Sequence, residues 1–154
     1  MTGSQQPSWS NLLQQAEGLL SVSSDRISNA ANLSALLFQE LTDISWVGFY
    51  FLDGKTLMLG PFQGKPACVS VPMGKGVCGT AAASGQTMRV ADVETFDGHI
   101  VCDVQARSEL VIPLFKHGEL LGVLDVDSAR LDRFSDEDEA GLKAMAQVYL
   151  SSIK

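Results

Sequence analysis

Two apolar runs joined by a four-residue turn constrain the fold of this chain most. Residues 109–115 read E-L-V-I-P-L-F and residues 120–127 read L-L-G-V-L-D-V-D, with K-H-G-E between them. Aliphatic and β-branched runs around a glycine-bearing turn predict a β-hairpin. Strand side chains alternate between faces, so Leu121, Val123, Asp125 and Asp127 are expected on one face, each pair about 7 Å apart. An apolar face that turns acidic at its end suggests the rim of a pocket. Glu109 opens the neighbouring strand, so Glu109, Asp125 and Asp127 are expected to converge. Carboxylates crowded together do not all ionise easily, and one of them should hold its proton and act as an acid. Acids solvated at a strand end remain the plainer alternative.

The rest of the chain supplies a sheet for that hairpin to join. Residues 46–52 (W-V-G-F-Y-F-L) predict a strand, D-G-K a turn, and residues 56–60 (T-L-M-L-G) a returning strand. Further strands are expected at 67–71 (A-C-V-S-V) and 87–90 (T-M-R-V), with a short helix over 77–84. Helical spacing over 9–22 and 29–41, the latter capped by Ser28, predicts two helices before the sheet. A closing helix follows Ser135, with the acids of D-E-D-E in its first turn, where the helix dipole favours them. Residues 91–108 have no periodicity. A loop of about eighteen residues in a compact domain is more often functional than idle. The expected class is α+β: a central antiparallel sheet, terminal helices on one face, and a loop-covered pocket on the other. At 154 residues a single domain, 1–154, is expected.

Charge narrows the function classes. A net charge of −7 speaks against nucleic acid and against an anionic membrane surface. No apolar stretch approaches the ~20 residues of a membrane span. The first ten residues lack a basic region followed by an apolar run, so no secretory leader is expected and the chain reads as cytoplasmic. Three cysteines is an odd number, which fits a reducing compartment better than a disulfide framework. Cys68, Cys78 and Cys102 form no C-x-x-C. The pair His99 and Cys102 alone is weak evidence for metal, so no metal is expected.

Each cysteine admits two readings. Strand alternation places Cys68 on the more polar face with Ser70, against the common role of core filler. Cys78 follows Gly74 and Gly76 at the start of a helix, which lowers a thiol pKa, yet its neighbours look like packing residues. Cys102 is either a loop cysteine pinned by Ile100 and Val101 or a nucleophile beside Asp103. As a thiolate among acids it would need backbone N–H groups or His99 to activate it. Trp46 and Tyr50 share a strand face and are either core or the lining of a small apolar subsite.

Taken in order, the segments W-V-G-F-Y (46–50), L-G-P-F-Q-G-K-P-A-C-V (59–69), G-K-G-V-C-G-T-A (74–81), G-H-I-V-C-D (98–103) and G-V-L-D-V-D-S (122–128) carry a resemblance. The chain resembles the free methionine-(R)-sulfoxide reductases, single-domain enzymes built on the GAF fold. Asp97 and Ala129 depart from the prolines common in that family, both at loop positions. The resemblance implies that Cys102 attacks, that Cys68 resolves by forming a disulfide with it, and that Cys78 is auxiliary. It implies that Glu109 and Asp127 serve catalysis, and that Asp125, Trp46 and Tyr50 bind free methionine sulfoxide. It further implies no bound cofactor and an external reductant such as thioredoxin, and it is compatible with a homodimer through the terminal helices. A ligand-sensing GAF module and a thiol redox switch are the rival readings, since fold alone does not fix function.

Overall fold

The computed structural model describes residues 6–102 and 104–154. Asp103 and the first half of the segment on which the leader expectation rests lie outside the described residues. Two helices, α1 (Trp9–Leu20) and α2 (Arg26–Glu40), precede β1 (Trp46–Asp53), β2 (Thr56–Gly64) and β3 (Ser70–Pro72). Then come α3 (Gly76–Ser84), β4 (Met88–Val90), a 3₁₀ turn at Val93–Thr95, the hairpin β5 (Ser108–Lys116) and β6 (Glu119–Ser128), and α4 (Asp136–Ser152). The six strands form one antiparallel sheet in the order β3-β2-β1-β6-β5-β4. No helix among the described residues is long and apolar enough to cross a membrane.

The alternation of the central strands builds two cores. Val47 and Phe49 of β1, Leu110 and Leu114 of β5, and Leu124 and Val126 of β6 point to one face. There they pack under α1, α2 and α4 with Leu12, Leu33, Leu37 and Tyr149. Trp46, Tyr50, Val111 and Val123 point the other way, against Val77, Ala81 and Ala82 of α3. The sheet is thus covered on both sides, and anything its strands carry on the α3 face is withdrawn from water. Helix α4 begins as expected: Ser135 accepts from the Asp138 N–H at 3.1 Å, and Asp138 accepts in return from the Ser135 N–H at 3.0 Å. The β5–β6 turn has φ of 53° at His117 and 78° at Gly118, the left-handed pair that suits a two-residue hairpin loop.

Three expectations need correction. Helix α2 starts at Arg26, and its cap is Asp25, which accepts from the Ser28 N–H at 2.8 Å. The exposed first turn hides this start from apolar periodicity, whereas Ser28 is inside the helix. Leu121 does not share a face with Val123. The β5–β6 register shifts between Leu114 and Phe115, and Leu121 packs towards the helix-side core while Leu120 packs towards α3. Beside this bulge Gly122 approaches β1 so closely that a Cβ would collide with the Tyr50 carbonyl. Finally, Cys68 is not in a strand. β3 begins at Ser70, and Val69 is 66% exposed while Val71 is 4% exposed, so alternation does not extend back to the cysteine.

Candidate active site

Strand register brings the acids together. Glu109 pairs with Asp127 across β5 and β6, and Asp127 pairs with Trp46 across β6 and β1. One step along, Asp125 lies between Val111 and Gly48. All three carboxylates are buried on the α3 face. The third residue of α3 is Cys78, whose thiol donates to Glu109 Oε2 at 3.8 Å. Asp125 Oδ1 is buried with no hydrogen-bond partner among the described residues.

Above the acids sit the other two cysteines, joined to each other in a Cys68–Cys102 disulfide with Cα atoms 5.2 Å apart. Two aromatic side chains hold the Cys68 segment in place. The Tyr50 hydroxyl donates to the Cys68 carbonyl at 2.9 Å, and Trp46 Nε1 donates to the Lys65 carbonyl at 3.1 Å. Their rings stack with centroids 6.0 Å apart, and Phe62 stacks on Trp46 at 5.3 Å. Phe62 escaped the sequence reading because β2 continues through Pro61 beyond the expected end at Gly60. On the other side Gly76, with φ of 65°, lies under Ile100, where a Cβ would be 3.2 Å from the Ile100 side chain. This close approach lets the loop bearing His99 and Cys102 lie on the start of α3.

The disulfide, Cys78, His99, Tyr50 and the three acids surround a cavity of about 40 Å³. A second hollow of about 20 Å³ adjoins it between Trp46, Ala67, Cys102 and Asp127. A larger hollow of about 670 Å³ between the end of α1 and α4 is lined by serines and aliphatic side chains, with Glu17 its one acid. The site is therefore in the small cavity, where titratable groups meet.

Burial dominates the electrostatics there. It pushes the Asp125 carboxyl well above the usual range, and Asp127 and Glu109 push it further. The Cys78 thiol is raised by burial and then by Asp125 and Glu109, so it stays protonated. Of the two readings of Cys78, packing at the helix start outweighs activation by the helix. The Tyr50 hydroxyl is likewise raised by burial first and Asp125 second, and remains a donor. Cys78, Glu109 and Asp125 each place one donor atom within 4.8 Å of the others, a grouping that cysteine spacing did not suggest.

Of the candidate residues, Tyr50, Cys78, His99, Cys102, Glu109, Asp125 and Asp127 line one cavity, Trp46 lines the adjoining hollow, and Cys68 joins them through its bond to Cys102. The arrangement can hold a proton on a buried carboxyl below the Cys68–Cys102 disulfide, in a pocket with several carboxylates and no lysine or arginine among its described lining. The sequence profile of the GAF domain matches residues 10–149. The chain is 50% identical over 137 residues to a free methionine-R-sulfoxide reductase of Escherichia coli, covering 89% of this chain and 83% of the relative. Among solved structures, the reduced form of fRMsr of Staphylococcus aureus superposes with a TM-score of 0.94 at 45% identity, over the full length of both chains. A free methionine-R-sulfoxide reductase from Neisseria meningitidis in complex with its substrate gives a TM-score of 0.91 at 37% identity, covering 99% of this chain and 95% of that one.

Proposed function

The chain belongs to the free methionine-R-sulfoxide reductase family of GAF domains, and from that premise we propose that it is a single-domain oxidoreductase that reduces free L-methionine-(R)-sulfoxide to methionine. The observation that carries this reading is the Cys68–Cys102 disulfide lying over a buried trio of acids.

In the proposed reaction Cys102 is the nucleophile. Its thiolate attacks the sulfoxide sulfur while Asp125, raised by burial, gives its proton to the oxygen, which leaves poorly unless protonated. The S–O bond breaks with the oxygen leaving as hydroxide, so that Cys102 Sγ is bonded to the sulfonium sulfur. Hydroxide then attacks Cys102 Sγ, and the S–S bond breaks with its electron pair going to methionine, which departs as a thioether. Cys102 is left as a sulfenic acid, so the two electrons gained by substrate are lost by the cysteine. Cys68 then attacks Cys102 Sγ and expels water, giving the disulfide. Glu109 and Asp127 suit the substrate's ammonium group, and the Trp46 ring stacked on Tyr50 suits its S-methyl end. In this reading His99, which lines the same cavity, or backbone N–H groups assist formation of the Cys102 thiolate. Cys78, buried and protonated, keeps the auxiliary role and does not attack.

The 40 Å³ cavity of the disulfide form is far below the roughly 300 Å³ of ordinary ligand pockets. Substrate therefore enters after the disulfide opens and the loop around Cys102 is released. A protein dithiol of the thioredoxin class is the proposed reductant, acting by thiol–disulfide exchange in a reducing compartment such as the cytoplasm. Val69 beside Cys68, and Val101 and Val104 on either side of Cys102, are more than half exposed and offer that partner an apolar surface around the bond.

The test is NADPH consumption with thioredoxin and its reductase, using each epimer of free methionine sulfoxide separately. Turnover is expected on the R epimer. Cys102→Ser should abolish it, and Cys68→Ser should release about one equivalent of methionine and stall. Continued multiple turnover by Cys102→Ser would refute the assignment of the nucleophile.

A further inference from the structure

The buried acids and thiol have the composition and spacing of a cation site. We propose that Cys78, Glu109 and Asp125 bind a thiophilic divalent cation of the zinc class. A tetrahedral zinc ion with bonds of about 2.0–2.3 Å holds its donor atoms about 3.3–3.8 Å apart. Cys78 Sγ and Glu109 Oε2 are already 3.8 Å apart. The third donor, from Asp125, completes a group whose members all lie within 4.8 Å. Closing it therefore takes a shift of about 1 Å, the difference between those two figures.

A second observation points to a ligand. Asp125 is only 5% exposed, yet its Oδ1 has no hydrogen-bond partner among the described residues, and its side chain lines the cavity. A buried polar atom without a partner costs about 1–3 kcal/mol, and a bound cation removes that cost. A cavity of about 40 Å³ accommodates an ion and one water, which would be its fourth ligand. No lysine or arginine among the described lining competes for the carboxylates.

Cation binding displaces the proton that Cys78 otherwise holds, and the resulting thiolate decides which cation fits. Thiolate favours zinc and its cobalt and cadmium analogues, whereas magnesium and calcium take oxygen ligands. In the disulfide form Cys68 and Cys102 are bonded to each other, and Cys78 is the free cysteine. The cation site therefore exists in the oxidised protein, whose cavity is too small for an amino acid. It goes beyond the proposed reductase activity and stands without it.

Cobalt(II) titration of the oxidised full-length chain tests this directly. One equivalent should bind, with a thiolate-to-cobalt charge-transfer band in the near ultraviolet and visible absorption of tetrahedral type. Zinc should displace it, and magnesium in excess should not. Cys78→Ala should lose the band, and Asp125→Asn should weaken binding at least about tenfold, since even supporting groups of metal sites are worth that much. Circular dichroism checks that both variants fold. X-ray absorption of the native zinc-loaded protein, with one sulfur and the remaining neighbours oxygen, covers a variant that does not fold. Absence of the band in native protein, its survival in folded Cys78→Ala, or equal competition by magnesium would each overturn the proposal.

Discussion

Opening the Cys68–Cys102 disulfide should lower the melting temperature, but by less than chain statistics allow. The bond joins residues 34 apart. Loop-closure entropy for that length is about 12.6 cal/mol/K, or about 3.8 kcal/mol at 25 °C. For a chain of this size 1 kcal/mol moves Tm by about 2–4 °C, so the ceiling is a drop of about 8–15 °C on reduction. Little packing adds to that ceiling, because Val101 is 62% and Val104 86% exposed in the loop the bond pins. By linkage, whatever the bond contributes to the fold is also the free energy by which the fold resists its reduction. About 1.4 kcal/mol corresponds to 30 mV, so the full 3.8 kcal/mol would lower the potential by about 80 mV.

In the proposed reaction the bond is reopened at each turnover, and such a bond works best without most of that protection. Opening the bond is expected to let water reach the buried Asp125 oxygen below it, relieving a cost of about 1–3 kcal/mol and so offsetting part of that stabilisation. We expect a net effect of about 1–2 kcal/mol, seen as a Tm drop of roughly 2–8 °C. Differential scanning calorimetry of oxidised protein, dithiol-reduced protein and the Cys68→Ser/Cys102→Ser double variant would measure it. A drop of about 12 °C or more would mark a structural staple and refute a cycling disulfide. No drop would refute the loop-entropy argument itself.

Two further outcomes follow from the site. Asp125 keeps its proton in the folded protein at pH values where the unfolded chain has lost it, so its stabilising contribution is complete below about pH 4 and is lost as pH rises through its raised native value. Asp125→Asn should therefore melt higher than the native protein near about pH 8, by an amount that shrinks towards about pH 4, while reductase activity falls steeply; thermal scans that show no pH-dependent difference would contradict the protonated carboxyl. Tyr50→Phe removes the hydrogen bond to the Cys68 carbonyl and should cost about 1 kcal/mol of stability. It should also slow disulfide closure, seen as more Cys102 sulfenic acid trapped by dimedone, and unchanged trapping would remove Tyr50 from any part in holding Cys68.

The convergence of the acids was legible only in part. Alternation put Asp125 and Asp127 on one face of β6, but the turn through His117 and Gly118 alone would pair Glu109 with Val126, and the one-residue register shift between Leu114 and Phe115 brings Glu109 opposite Asp127. The cap at Ser135 was legible because serine followed by acids has a local physical reason. Leu121 was misplaced because its bulge arises from an approach of Gly122 to the Tyr50 carbonyl on another strand, which no local pattern announces. Cys68 was misread because A-C-V-S-V alternates like a strand, while the segment is held instead by Tyr50, Trp46 and the disulfide. The cysteine pairing came from the resemblance and not from spacing. Which acid holds the proton depends on burial in three dimensions and so was not readable from the order of residues.

That last point has a structural cause in the register of the sheet. Asp127 sits in a row with Trp46 and Glu109, whereas Asp125 sits one step along, between Gly48 and Val111. Gly48 offers no side chain to answer the carboxyl, and a Cβ there would strike Phe62 and the Trp46 ring, so the aromatic wall closes over the gap instead. Asp125 is thus left with burial and two other acids as its surroundings, all of which favour its neutral form. Glu109 has the Cys78 thiol as a donor that Asp125 lacks at Oδ1. In the proposed reaction this divides the labour: one acid keeps a proton for the sulfoxide oxygen while its neighbours meet the ammonium group. The same β6 backbone carries Leu124 and Val126 into the helix-side core, where both are fully buried. Burial of two such side chains contributes about 3–6 kcal/mol, enough to offset an unfavourable carboxyl one residue away. A strand apolar on one face and acidic on the other lets the fold tolerate the strain the chemistry requires.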